Sequence, residues 1–182
     1  MIAIMSHALE ILFTGSRSVH LAAGAVLFRS AAPVFEMFLV TSGQIHLCRH
    51  TVHGVEMVLQ RAMPGMVVAE ASAYSDSYHC DAIAATGCIL LTLPKPVFLS
   101  AMASDPDLAA TWAATLAHGV QAARFKSEIR SLPRVADRLD AWLGEGNQLP
   151  EKGHWQDVAN ELGISREALY RELARRRKGT TE

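Results

Sequence analysis

The sequence has no apolar run approaching the roughly 20 residues that a helix needs to span a bilayer, so no membrane partner is expected. Met1 to Phe13 carries His7 and Glu10 in place of a basic start and a cleavable apolar stretch, so it does not read as a secretory leader. Cysteine is scarce. Cys48, Cys80 and Cys88 show no CxxC spacing and leave an odd thiol after any pairing, which fits reduced cysteines in the cytoplasm rather than a disulfide framework. Charge of one sign is also lacking, since 17 basic residues nearly balance 18 acidic ones. Enzyme signatures are missing too. A cupin-type metal site needs a His-x-His pair with a nearby Glu, but His50 and His53, followed by Glu56, are three apart and would face opposite sides of a strand. No Ser/His/Asp or Cys/His arrangement stands out either, so no enzymatic activity is expected.

What is present is apolar and strongly punctuated. Half of the 182 residues are hydrophobic, enough for the core of one ordinary domain or two small ones. From about His20 to Phe98, short β-type runs (25–28, 37–40, 44–49, 56–60, 66–69, 82–85 and 88–93) alternate with turn residues such as Gly24, Gly43, Gly54, Gly65 and Gly87. Many short strands at regular intervals predict an antiparallel barrel or sandwich. At Ser104-Asp105-Pro106 the pattern changes to that of a helix start, and a long helix is expected from there to Arg130, ending before Leu132-Pro133. Leu108, Trp112, Leu116, Val120 and Ala123 form one apolar stripe along it, with Ala117, Gly119 and Ala122 small enough for a second backbone to approach. The stripe suits a homodimer through 105–130, and packing on the barrel is the alternative. A second helix, 134–143, runs into a polar linker at 144–150. The chain thus divides into a β-barrel sensing domain (1–103), a dimerisation helix (104–132) and a helical DNA-binding domain (133–182).

The segment 156–177, QDVANELGISREALYRELARRR, is built as a helix-turn-helix. Its first helix ends at Leu162, Gly163 supplies a sharp turn and Ser165 can cap the second helix. Val158, Leu162, Ile164, Leu169 and Leu173 are positioned for burial, and Ala159 is small where the helices cross. Arg166, Glu167, Tyr170, Arg171 and Ala174 are left on the outer face of the second helix. Arginine can bond guanine O6 and N7 together and glutamate can accept from cytosine N4, so this face suits a site containing G·C pairs. Gln156, Ser165, Arg175, Arg176, Arg177 and Lys178 are better placed for phosphates. Between Gly163 and Thr181, six basic residues stand against two acidic ones, a basic patch on a neutral chain.

The runs LAAGAVLF, MFLVTSGQIHLCRHTVHGVEMVLQRAMPG, DPDLAATWAATLA, VADRL and ISREALYREL make the chain resemble the Crp/Fnr regulators over nearly its whole length. The resemblance implies an α+β fold: an antiparallel jelly-roll barrel of the cyclic-nucleotide-binding type, a long dimerisation helix and a C-terminal helix-turn-helix. It also implies base contacts by Arg166, Glu167 and Arg171 on a palindrome with TGTGA-type half-sites, and RNA polymerase as a partner. Family members usually carry a two-stranded wing after the recognition helix; here only Lys178 to Glu182 remain, so little or no wing is expected, whether lost naturally or through a shortened chain.

The departures concern the effector. Where cyclic-nucleotide members have a Gly-Glu and an Arg-Ser pair, this chain has Ala69-Glu70 and His79-Cys80, followed by Asp81, and Ala123-Arg124 stands where their nucleotide base is bound. Without the cation that a phosphate requires, cyclic AMP is not the expected effector. Met1 to Leu47 contains no cysteine, so no iron-sulfur cluster is expected. Another small effector in a pocket of Glu70, His79, Cys80, Asp81 and Arg124 is the expectation. A metal or thiol-redox site drawn from His46, Cys48, His79 and Cys80 is the alternative.

Overall fold

The computed structural model describes residues 2–50, 53, 56–151, 153 and 155–179. It divides into two compact units, 1–116 and 117–182.

The first unit opens with helix α1 (Ile2–Phe13) and continues through eight strands: β1 (Arg17–Leu21), β2 (Val26–Phe28), β3 (Glu36–Ser42), β4 (Ile45–His50), β5 (Glu56–Ala62), β6 (Val67–Val68), β7 (Asp81–Ala84) and β8 (Cys88–Pro94). They form two four-stranded sheets, ordered β1-β8-β3-β6 and β2-β7-β4-β5, with every pairing antiparallel. Strand β3 shows why the sequence reads as it does. Met37, Phe38, Leu39 and Val40 are all buried because both faces of the strand are covered: Phe38 and Val40 join one core with Phe28, Ile45 and Leu90, while Met37 and Leu39 join another with Phe13, Phe98 and Trp112. Gly43 closes the β3–β4 hairpin at φ +83°, and a Cβ there would collide with the Gly87 carbonyl and Cys88, so only glycine fits.

The strand pattern extends further toward the N-terminus than expected and ends sooner. β1 begins at Arg17 and pairs along β8, whereas the expected β region ran on to Phe98; the chain is instead helical from Lys95 to Ser104 (α2). Pro96 in the first turn and the i,i+4 pair Phe98 and Met102, both buried, drive that helix. Neither α2 nor α1 was expected, since each is a short apolar segment without polar alternation. The long helix does start at the expected place. Asp105 Oδ1 accepts from the amides of Asp107 and Leu108, both at 3.0 Å, and α3 runs Pro106–Ser131. In its opening turns Leu108, Trp112 and Leu116 pack into the second core, so the stripe is divided: these three are structural, while Val120 is 50% exposed and Ala123 is exposed.

In the second unit the remainder of α3 is followed by α4 (Val135–Gly144), α5 (Trp155–Leu162) and α6 (Arg166–Gly179). Their core is Ile129, Leu139, Trp142, Trp155, Val158, Ala159, Leu162, Leu169 and Leu173. Helix α6 ends at the last described residue, so the expectation of little or no wing lies outside the described residues; among those described, no helix is long and apolar enough to cross a membrane.

Candidate nucleic-acid interface

Helices α5 and α6 are joined by three residues whose geometry follows from their chemistry. Gly163 takes φ +64°, the left-handed conformation that ends a helix, and the Ile164 amide reaches back to the Ala159 carbonyl at 3.0 Å. Ser165 Oγ then accepts from the Ala168 amide at 3.2 Å, capping α6. Two arginines grip the outgoing end of α5. Arg130 donates to the Asn160 carbonyl at 2.9 Å, and Arg138 donates to the carbonyls of Leu132 (2.6 Å), Leu162 (3.1 Å) and Gly163 (3.0 Å). A cation at this end also complements the helix dipole. Arg130 lies so close that a Cβ on Gly163 would stand 2.9 Å from its Cγ.

With the turn held, Val158, Leu162, Leu169 and Leu173 are buried beneath α6, Ile164 is half-buried, and Arg166, Glu167, Arg171 and Ala174 are exposed. Glu167 is held below the usual glutamate range by its own backbone amide and the Ser165 hydroxyl, so it stays an acceptor. Tyr170 is different. It is half-buried, its ring lies 4.7 Å from that of Trp155, and its hydroxyl accepts from Arg166 Nη2 at 3.1 Å.

The basic patch is smaller than its residue count. Glu172 is buried and receives Arg175 Nη2 at 2.8 Å and Arg176 Nε at 2.7 Å; Arg176 also donates to Asp140 (2.6 Å) and the Ala136 carbonyl (3.0 Å). Arg176 therefore ties α6 to α4, and Arg175, though mostly exposed, is paired. These bonds, Arg175 first, push the Glu172 carboxyl down to about 2 from 4.5. Because the folded value is the lower one, the ion cluster stabilises the unit above pH 4.5, and that contribution is lost as pH falls from 4.5 toward 2. Urea midpoints followed by tryptophan fluorescence should drop across this window in the native protein, and the drop should be shallower in Glu172→Gln; equal slopes would contradict the assignment.

In the first unit, Ala69 adopts φ 54°, a left-handed geometry that disfavours a Cβ, and opens a 3-10 turn over Glu70–Tyr74. Glu70 accepts from Gln60 Nε2 at 3.3 Å. Asp81 accepts from the Ser30 amide at 2.7 Å and Arg29 Nη1 at 2.9 Å; the amide first, then Arg29, hold it below the usual carboxylate range. His79 is exposed, with its carbonyl taken by Arg49 Nε at 2.8 Å and Nδ1 at 3.4 Å from Ser72 Oγ. The Cys80 thiol is buried, and burial pushes its pKa up.

Residues 18–105, which span both sheets and this turn, match the cyclic nucleotide-binding domain. No curated protein matches the sequence. Among solved structures, the whole chain has the fold of Crp/Fnr-type transcription regulators. The c-di-GMP responsive global regulator CLP of Xanthomonas campestris is 19% identical at a TM-score of 0.68, the match covering 96% of this chain and 93% of that one. FixK2 of Bradyrhizobium japonicum is 15% identical at 0.69, covering 91% and 86%. The catabolite activator protein of Thermus thermophilus is 23% identical at 0.55, covering 96% and 84%.

The sequence-derived effector candidates fall in both units. Glu70, His79, Cys80 and Asp81 lie around β7 and the 3-10 turn, Glu70, His79 and Asp81 engaged as described and Cys80 buried, and Arg124 is exposed on α3 in the other unit. His46, Cys48, His79 and Cys80 are not gathered: among the described residues, no three His, Cys, Asp or Glu side chains are arranged to hold a metal ion. A bulge between Leu47 and Cys48 shifts the β4–β5 register, so spacing along β4 does not predict which side chains share a face. Of the interface candidates, Gln156 is exposed and bonded to Asn160, and the Lys178 side chain lies outside the described residues. Trp155, Arg138 and Glu172 were missed as functional supports. Only Glu172 left a trace in the sequence, through its i+3 and i+4 arginines.

Proposed function

We propose that this protein is a sequence-specific DNA-binding transcription regulator that acts in the cytoplasm as a homodimer, reads a palindrome containing G·C pairs, and responds to a small effector other than cyclic AMP. The observation that carries the reading is the capped turn Gly163-Ile164-Ser165, which leaves Arg166, Glu167 and Arg171 exposed on the first two turns of a helix whose opposite side is buried. Dimerisation is supported by α3. Every residue from Ala117 to Arg124 is exposed, and a bare stretch rich in alanine, with Gly119 and Val120, is stabilised when a second copy covers it. The full site would carry two half-sites of the TGTGA type about 34 Å apart, with effector binding altering the packing of the paired helices and hence the spacing of the two α6 helices. RNA polymerase is the expected protein partner.

Cyclic AMP is disfavoured by the surroundings of the 3-10 turn. His79 and Cys80 stand in place of the Arg-Ser pair and Asp81 adds a carboxylate beside them, while Arg49 is engaged by the His79 carbonyl and Arg29 by the Asp81 carboxylate. Selection of bound duplexes from a random pool with the purified protein should enrich a G·C-containing palindrome, and adding cyclic AMP should leave it unchanged. Failure to enrich any sequence would sink the DNA-reading role; enrichment only with cyclic AMP would sink the effector assignment.

A further inference from the structure

We propose that Tyr170 is a specificity-determining residue that holds Arg166 for base reading, an assignment that rests on the DNA-reading role above. Arg166 and Tyr170 are one helical turn apart. The guanidinium donates from Nη2 to the phenol oxygen at 3.1 Å, and its carbon lies 5.2 Å from the ring centroid, so the ring supports the cation as well. The ring is itself fixed. It packs at 57° against Trp155, centroids 4.7 Å apart, and Trp155 is 7% exposed with its indole N–H donated to the Pro150 carbonyl at 2.9 Å. Arg177 closes the column, its guanidinium 5.8 Å from the Trp155 ring. Two cations thus flank an aromatic pair anchored in the body of the unit.

This arrangement acts on discrimination more than on affinity. A guanidinium has five N–H donors, and committing one to Tyr170 leaves enough for the two parallel bonds that guanine O6 and N7 accept. An unrestrained arginine loses rotamer freedom on binding and can turn to a nearby phosphate when the base is wrong. A held arginine has already lost much of that freedom, and a mismatched base leaves its donors unpaired, which is the penalty that specificity requires. Tyr170 therefore positions a reading residue by a route the outward-facing helix pattern does not reveal.

The test uses the full chain and three duplexes: the palindrome enriched by the native protein, the same palindrome changed at the base pair whose preference Arg166→Ala abolishes, and a random duplex. Tyr170→Phe removes the acceptor and keeps the ring. It is expected to reduce the preference for the enriched base pair about threefold to tenfold, the worth of a hydrogen bond that solvent weakens at this exposed position, with unchanged binding to random DNA and an unchanged urea midpoint. In the Arg166→Ala background it should cause no further weakening of binding to the enriched palindrome. Wild-type preference in Tyr170→Phe, an equal loss with and without Arg166, or a loss that follows a lowered midpoint overturns the assignment. A native protein that enriches no sequence overturns the DNA-reading role and this one with it, and is recognised because the native arm itself is blank.

Discussion

Arg138→Ala is expected to destabilise the second unit by about 2 to 4 kcal/mol, since hydrogen bonds to a charged donor contribute about 1.5 to 3 kcal/mol each and the two from Nη1 share one nitrogen. The side chain emerges from α4 and satisfies carbonyls at the ends of two other helices, Leu132 after α3 and Leu162 and Gly163 at the α5 turn. Removing it leaves all three without this donor. It also withdraws the cation from the end of α5, where the exposed carbonyls favour positive charge. Arg138→Lys should recover only part of the loss, because an ammonium cannot span carbonyls that the guanidinium reaches from both Nε and Nη1. Trp142 and Trp155 both lie in this core, so urea unfolding followed by tryptophan fluorescence reports on it directly. A midpoint within error of the native protein would show that water replaces the arginine without cost.

The second large effect concerns recognition. If Arg166 and Arg171 each read a base edge, alanine at either position removes one contact per half-site, and a dimer on a palindrome loses two. At about 1 to 3 kcal/mol for each bidentate pair, the cognate site should weaken by about 2 to 6 kcal/mol, with little change on random DNA. Lys178→Ala should instead weaken all duplexes alike and reduce the salt dependence, as expected of a phosphate contact. Fluorescence anisotropy on the selected palindrome and a scrambled duplex at several salt concentrations separates the two cases. Equal losses on both duplexes for the arginine variants would remove them from the reading face. Arg175 and Arg176 provide an internal contrast: Arg176 is engaged with Glu172 and Asp140, so its replacement should lower stability before it changes base preference.

Sequence alone determined the parts of this protein whose signals are local. Turn glycines between short apolar runs marked the strands, Asp105-Pro106 marked the start of α3, and Gly163 with Ser165 marked the helix-turn-helix, because a left-handed turn or a cap is made by residues within four positions of one another. The family resemblance rested on the same local runs.

Only the tertiary structure decided which of several chemically similar residues does what. The apolar stripe of α3 is uniform in sequence, yet Leu108, Trp112 and Leu116 enter a core with residues of α1, β3 and α2 while Val120 stays exposed. Six basic residues near the C-terminus look alike until Asp140, 36 positions away, claims Arg176. Arg138 reads as one more surface charge on α4 until the fold brings it against carbonyls 24 and 25 residues on. Tyr170 looks outward-facing until Trp155 packs against its ring. In each case the deciding partner is distant in sequence, and short-range periodicity carries no information about contacts that form only when separate helices and strands have packed.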